Sequence, residues 1–279
     1  LETIIGLGNA GCRIAASFSQ HSQYDVYGID SAHHKMSKFK QIPLQNSHEE
    51  YESFCPSLEY FLKDAKPPYL FIIAGGGTIS GSVLRILEQL NSRDIYILYI
   101  KPDASLISDK KGIQDKITFQ VLQQYARSDV FRRLFIISNP MVEKILGGIP
   151  ITTYYEKIND LIVNTVHMTN VYDNIDSIMN TFSDPIPTAK ISTFGILNVD
   201  SGERKLFYPL EYTREYKFYY SFCEKQLEID SQLLATTLEQ VKSSISENTK
   251  ASYGIYSNDY EQNYGYVIAS ATMIQEENF

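Results

Sequence analysis

The chain has 279 residues, 43% of them hydrophobic and 21% charged, with a formal net charge of -8. That length can bury one large core or two medium ones, the balance is that of an ordinary soluble globular protein, and the negative charge argues against a nucleic-acid scaffold. No apolar run approaches the roughly eighteen residues of a membrane span, and Cys12, Cys55 and Cys223 lack metal-ligand spacing and form no even disulfide framework, so a cytoplasmic protein with reduced, buried thiols is expected, with no membrane and no direct nucleic-acid partner.

In chain order, Leu1 to Gly6 reads as a short strand, and Gly6-Leu7-Gly8-Asn9-Ala10-Gly11 turns it into a helix with Ile14, Ala15 and Phe18 inward. Tyr24 to Ile29 is a second strand ending at Asp30, and residues 33 to 50, with His33-His34, read as a solvated surface excursion without glycine. Tyr51 to Leu62 has the pattern of a helix, and Lys66-Pro67-Pro68 stops the chain before the apolar run Leu70-Phe71-Ile72-Ile73. That run meets Ala74-Gly75-Gly76-Gly77-Thr78-Ile79-Ser80-Gly81 and then a helical face at Val83, Leu84, Ile86, Leu87 and Leu90.

Further strands at Ile95 to Ile100 and Leu134 to Ile137 flank a loop, Lys101 to Lys111, and a helix around Phe119 to Tyr125. Strands alternating with helices specify a parallel sheet covered on both faces, with the loops starting at Gly6, Asp30, Ala74, Lys101 and Asn139 lining one crevice. Ile149 to Met179 contains no glycine and carries helical periodicity from about Thr152, so a long central helix is expected. Beyond Asp184-Pro185-Ile186-Pro187, strands are expected at Ile191 to Val199, Lys205 to Tyr212, Tyr216 to Phe222, Ala251 to Tyr256 and Tyr264 to Met273, with a helix from Ile229 to Ser246. The division is a nucleotide-binding domain at 1-150, the helix and a following loop at 151-184, and a smaller α+β layer at 185-279.

Two strand–glycine-loop–helix units are the chemistry of this chain. Glycines let the backbone turn several N–H groups toward one point, and the first helical turn adds unpaired donors and the positive end of its dipole, so each loop suits an anion. Thr78 and Ser80 bring hydroxyl donors. Taken alone, Gly6-x-Gly8-x-x-Gly11 followed by Asp30 also fits the dinucleotide fingerprint of a nicotinamide-dependent oxidoreductase. That reading leaves the second glycine loop unused.

The ordered motifs resemble those of the tubulin/FtsZ superfamily of filament-forming GTPases. Gly75-Gly76-Gly77-Thr78-Ile79-Ser80-Gly81 matches the signature loop Gly-Gly-Gly-Thr-Gly-Ser/Thr-Gly at six of seven positions. Gly6 to Gly11 is similar to the first phosphate loop, Ile29-Asp30-Ser31-Ala32 to the FtsZ stretch Thr-Asp-Ala-Gln, Lys101-Pro102 to its Lys-Pro-Phe, and Ser138-Asn139 with Leu146-Gly147 to its Pro-Asn and Leu-Gly segments. Tyr155 and Asn159 repeat the spacing of an aromatic four residues before Asn-Asp; i and i+4 share a helical face, so the ring can stack on a purine while the amide offers donor and acceptor to guanine. Met179-Asn180-Thr181-Phe182-Ser183-Asp184 resembles the family's catalytic loop with one residue deleted and its first acid missing; Asp173 and Asp176 lie upstream, out of register.

The resemblance implies a Rossmann-like α/β GTPase domain, a central helix and an α+β activation domain, most like the divergent tubulins of bacteriophages and plasmids. It implies GTP or GDP with Mg²⁺ as cofactor, bound by Gly8, Asn9, Ala10, Gly11, Asp30, Gly75, Gly76, Gly77, Thr78, Ser80, Gly81, Asn139, Tyr155 and Asn159, with no set of protein metal ligands. It implies catalysis by Asp184 and Asn180 completing the site of the next subunit, head-to-tail self-assembly in a bacterial cytoplasm, and DNA, through an adaptor, or a virion as cargo. The acidic tail Gln275 to Phe279 would then be a longitudinal contact. Three departures favour a non-hydrolysing assembly protein as the alternative: Ile79 in place of a glycine, the missing first acid of the catalytic loop, and no glycine-rich loop between Lys38 and Glu50; Leu106 also stands at the place of the ribose-binding acid, for which Asp103 or Asp109 would substitute.

Overall fold

The computed structural model describes residues 1 to 276, which form two compact units, Leu1–Val163 and the part from Asn164 onward. In the first unit six strands, β1 Thr3–Leu7, β2 Asp25–Asp30, β3 Lys38–Gln41, β4 Tyr69–Ala74, β5 Ile95–Lys101 and β6 Arg133–Ser138, run parallel in the order β3-β2-β1-β4-β5-β6. All five residues of β1 and the first five of β4 are buried. A parallel sheet covered on both faces needs such unbroken apolar runs, and this is why they were legible as strands. The order reverses between β1 and β4, which sets a crevice at their carboxyl ends, where Gly8 and Gly75 follow.

Helices α1 Gly8–Ser17, α2 His48–Ser53, α3 Val83–Leu90, α4 Asp109–Arg127 and α5 Asn139–Leu146 connect these strands, and α6 Tyr154–Tyr172 leads out of the unit. Four expectations need correction here. The supposed surface excursion contains β3, which pairs with β2 from Tyr27↔Lys38 to Asp30↔Gln41. The helix expected over Tyr51 to Leu62 is instead the single short α2; Ser47 caps it by accepting from the Glu50 N–H at 3.1 Å, and it ends at Ser53, three residues before Pro56. The helix expected around Phe119 begins at Asp109, because Gly112 is tolerated inside its exposed first turns. The central helix stops at Tyr172, short of Met179.

In the second unit, β7 Met179–Asn180, β8 Ile191–Leu197, β10 Thr213–Cys223, β11 Lys250–Asn258 and β12 Tyr264–Ala271 form a mixed sheet in the order β8-β12-β10-β11-β7, with β9 Arg204–Leu206 on β8. The strand expected over Lys205 to Tyr212 shrinks to β9. Strands β10 and β11 are parallel, so a crossover must join them; it is made by α7 Glu224–Ile229 and α8 Leu233–Lys242, two helices where one was expected. Phe218, Tyr220, Phe222, Tyr253, Ile255 and Val267 pack with Val241 of α8 in its core. The tyrosine-rich last third is therefore a half-buried sheet face. Of the expected tail contact, Gln275 is buried, its side chain accepting from the Glu211 N–H at 2.7 Å, Glu276 is exposed, and Glu277 to Phe279 lie outside the described residues. Cys12 is buried as expected, whereas Cys55 and Cys223 are only half-buried.

Candidate functional site

The site is built from two glycine loops that meet at the reversal point of the first sheet. Helix α1 begins at Gly8 directly after β1, and its N-cap residue Leu7 has no side chain able to satisfy the first turn. The leading N–H groups of α1 are therefore free of any side-chain cap, with Asn9 and Ala10 exposed beside them. Gly8 has φ +72°, the left-handed region in which a side chain is strained, and a Cβ there would lie 2.8 Å from Cγ2 of Ile79. Gly11 is buried, its Cα turned to the Ile72 carbonyl of β4, so it seats the helix on the sheet.

The second loop leaves β4 with the Gly75 N–H donating to Ile100 at 2.9 Å. Among the described residues nothing accepts from the N–H groups of Gly76 and Gly77. Thr78 to Ser82 then form a turn of 3₁₀-helix before α3. Ser80 is buried, and its hydroxyl donates to the Gly77 carbonyl at 2.6 Å, holding the loop closed rather than facing the crevice. Thr78 is half-exposed, and its hydroxyl has no partner among the described residues.

Beneath the loop lies a polar support that the motifs did not point to. Asp115 of α4 accepts from the Tyr99 hydroxyl at 2.6 Å and from Lys101 Nζ at 2.9 Å, and the ammonium lies 4.1 Å from the Phe119 ring. Lys101 is 1% exposed and Asp115 6%, so this pair lives in a low-dielectric interior where losing either partner strands a charge. A Cβ on Gly75 would overlap Asp115 Oδ1, and a Cβ on Gly81 would overlap the His48 carbonyl. The His48 ring reaches Thr118 Oγ1 at 3.3 Å, and burial lowers its pKa, with Glu49 and Glu52 acting in the opposite direction. Helix α2 is thus laid across the end of the loop, in the place where no glycine-rich segment stands.

Asp30 is 5% exposed and already engaged: it accepts from the Ser31 N–H at 2.7 Å and meets His34 Nε2 at 2.6 Å. His34 is accordingly no solvated loop residue. Burial, then the neighbouring Asp30, pushes the Cys12 thiol up to about 12. On the other side of the crevice, Asp103 turns back to accept from the Ser105 N–H and hydroxyl at 2.8 and 2.7 Å, and Leu106 is exposed. Asn139 opens α5, Tyr154 donates to Glu143 at 2.8 Å, and the Tyr155 ring stands edge-on to Tyr154 at 5.1 Å. Tyr155 is 56% exposed, too open for a core residue, and the half-buried Asn159 amide has no side-chain partner among the described residues. Burial first, and then Glu143, pushes Tyr154 up to about 12.

The second unit places the expected catalytic residues differently from a free loop. Asn180 lies in β7, opposite Gly254, with its amide donating to Ser177 at 2.6 Å and accepting from the Phe182 N–H at 3.3 Å. Asp184 is exposed; its backbone carbonyl accepts from Lys250 Nζ at 2.9 Å while its carboxylate has no partner among the described residues. Asp173 accepts from Lys217 and from Tyr219 at 2.9 Å, and with Asp176, Asn180 and Phe182 it lines one open cavity of about 540 Å³ that Asp184 does not reach.

No protein-family model matches the chain, and no curated protein matches it by sequence. Solved structures do. TubZ of Bacillus thuringiensis serovar israelensis, as a GTPγS-form protofilament, superposes with a TM-score of 0.73 at 11% identity, over 97% of this chain and 87% of TubZ. CetZ2 of Haloferax volcanii, as a GTPγS-bound protofilament, gives 0.73 at 13% identity over 97% and 92%, and an FtsZ dimer of M. jannaschii 0.67 at 12% over 96% and 87%. The chain has the tubulin/FtsZ fold over nearly its whole length. The same fold carries TubZ and CetZ2 in protofilaments.

Proposed function

We propose that this chain binds GTP and GDP in the crevice of its first unit and assembles head to tail into filaments. The observation that carries the reading is the convergence of two sets of unpaired donors, the uncapped start of α1 and the N–H groups of Gly76 and Gly77, at the reversal point of a parallel sheet. The residues fit a phosphate chain: Gly8 to Gly11 and Gly76 to Thr78 would hold it, and Tyr155 with Asn159 would take the guanine. They fit Mg²⁺ less directly. Asp30 is occupied by Ser31 and His34 and Asp115 by Lys101 and Tyr99, so the ion would sit on phosphate oxygens and neutralise charge there.

Hydrolysis, in this reading, is attack by water on the terminal phosphoryl group, with Asp184 of one subunit orienting the water at the crevice of its neighbour. Its exposed carboxylate, without a partner among the described residues, is available for that role, whereas the Asn180 amide is engaged with the Ser177 hydroxyl and the Phe182 N–H. Asp184→Ala should leave GTP binding intact while abolishing phosphate release and lengthening filament lifetime. Loss of GTP binding in the monomeric variant would remove Asp184 from the catalytic role.

A non-hydrolysing assembly protein is the second reading, and Ile79 in place of a glycine, with its Cγ2 2.8 Å from where a Cβ on Gly8 would lie, favours it. Filaments that form with GTP but release no phosphate would select it. A role of the filament in moving DNA is proposed from the likeness to TubZ, described as a plasmid segregation protein, with an adaptor as the link and virions in a bacterial cytoplasm as the other cargo in this reading. Co-sedimentation of the filaments with plasmid–adaptor complexes or virions tests it.

A further inference from the structure

We propose that Lys250 and Glu215 are positioning residues that set the aim of Asp184 by clamping the backbone on both sides of it. The role rests on the reading of Asp184 as the residue that orients the attacking water, and goes beyond it by naming what holds that carboxylate in place.

Asp184 lies in the stretch between β7 and β8, which belongs to no helix or strand, and its carboxylate is exposed with no partner among the described residues. A group in that position serves a reaction only if its backbone is held, because the rate depends on presenting it in one geometry. The hold comes from two strands of the same sheet. Lys250, the first residue of β11, stands opposite Glu215 of β10 in their parallel pair. Lys250 Nζ donates to the Asp184 carbonyl at 2.9 Å and to the Ser183 hydroxyl at 3.4 Å, and lies 3.3 Å from Glu215 Oε1. An ammonium has three donors, and all three are engaged at this junction. The other carboxylate oxygen of Glu215 accepts from the Ile186 N–H at 3.3 Å.

One ion pair therefore grips the chain at residues 183, 184 and 186. Glu215 is 6% exposed, and a carboxylate at that depth needs both its charge partner and its hydrogen bonds. The sheet prepares it: the register of β10 on β12 shifts between Thr213 and Glu215, and such a bulge re-aims the side chains beside it. Pro185, with its fixed φ, leaves little freedom between the two grips. Upstream, the Thr181 N–H donates to the Tyr253 carbonyl at 2.8 Å, and Lys217 Nζ lies 4.3 Å from the Phe182 ring. The segment is thus tied at every residue around Asp184, while the carboxylate itself stays unbound.

Phosphate release, the GTP affinity of the monomer and the concentration at which filaments appear are measured for the wild type, Asp184→Ala, Lys250→Met, which keeps the apolar stem, Lys250→Arg, which keeps the charge, and Glu215→Gln. A thermal melt establishes folding, and backbone ¹⁵N relaxation of Ser183, Asp184 and Ile186 in the nucleotide-free monomer reads the clamp directly. Lys250→Met should slow phosphate release by about tenfold or more, given that misplacing a reacting group by roughly 1 Å costs about a hundredfold. GTP affinity and the assembly threshold should stay those of the wild type, and the three amides should gain mobility. Lys250→Arg should recover most of the rate, with Glu215→Gln between the two. Unchanged release in Lys250→Met, or a loss matched by a loss of GTP affinity or of assembly, overturns the positioning role. If the amides loosen but Asp184→Ala releases phosphate like the wild type, the clamp stands and the catalytic reading of Asp184 falls; if Asp184→Ala abolishes release while Lys250→Met alters neither rate nor mobility, Asp184 stands and the clamp falls. If the wild type itself releases no phosphate, the catalytic reading falls, and amides that stay rigid in Lys250→Met remove the clamp as well.

Discussion

The two glycine loops of the first unit look alike in sequence and are built in different ways. The first takes its donors from the start of α1, where Leu7 supplies no cap, and its shape is set by the backbone of Gly8 and by Gly11 against β4. The second is a turn whose hydroxyl Ser80 faces inward and whose first glycine rests on Asp115, in a buried network with Lys101 and Tyr99. One loop is thus shaped by local backbone geometry, and the other by side chains brought from β5 and α4. Substitutions in the support of the second loop should therefore cost fold stability and binding together, whereas those in the first should cost mainly the local conformation.

The largest effect is expected from Asp115→Ala, which leaves the Lys101 ammonium buried without its carboxylate and should destabilise the protein by about 3–5 kcal/mol in urea unfolding. An effect under about 1 kcal/mol, the range of exposed ion pairs, would show that the second loop does not depend on its support. Gly8→Ala should cost about 1–2 kcal/mol for the left-handed backbone, plus the collision with Ile79, and Ile79→Gly should recover the collision part in the double variant. Tyr99→Phe should cost about 1–3 kcal/mol, because the buried Asp115 oxygen loses its donor, with phosphate affinity falling in parallel.

The smallest effect concerns pH. Burial depresses the His48 pKa below the ordinary value of 6.5, so as the pH falls the unfolded chain takes up the proton first. The stability from a neutral His48 is present above about pH 6.5, the unfolded value, and is lost as the pH falls through the folded pKa. His48→Gln should flatten the urea midpoint between pH 7 and pH 5. An unchanged slope would contradict the clamp between α2 and the second loop.

Much of the fold was legible because its strands are short and buried on both faces: Thr3–Leu7, Tyr69–Ala74 and Arg133–Ser138 stand out as apolar runs bounded by glycine or a polar stop. Both glycine loops were legible for the same reason, since a strand, a glycine cluster and a helical face occur in sequence. Strand β3 was hidden because Lys38, Lys40 and Gln41 disguise an edge strand as loop. The end of α2 was marked by Pro56, which the apolar spacing beyond it obscured. The support under Gly75 could not be read, because Tyr99, Lys101 and Asp115 come together only when a strand and a helix pack. The same holds for Asn180, whose pairing with Gly254 brings together residues 74 positions apart.

The central claim, that the crevice between the two loops is a guanine-nucleotide site, is tested most directly by equilibrium titration of GTP and of ATP against the purified chain and its Tyr155→Ala and Asn159→Ala variants. GTP should bind at least tenfold tighter than ATP, with Asn159→Ala erasing the preference and Tyr155→Ala weakening both nucleotides, since one residue reads the base edge and the other only its face. Equal binding of GTP and ATP by the wild type, or a GTP affinity indifferent to both substitutions, would contradict it.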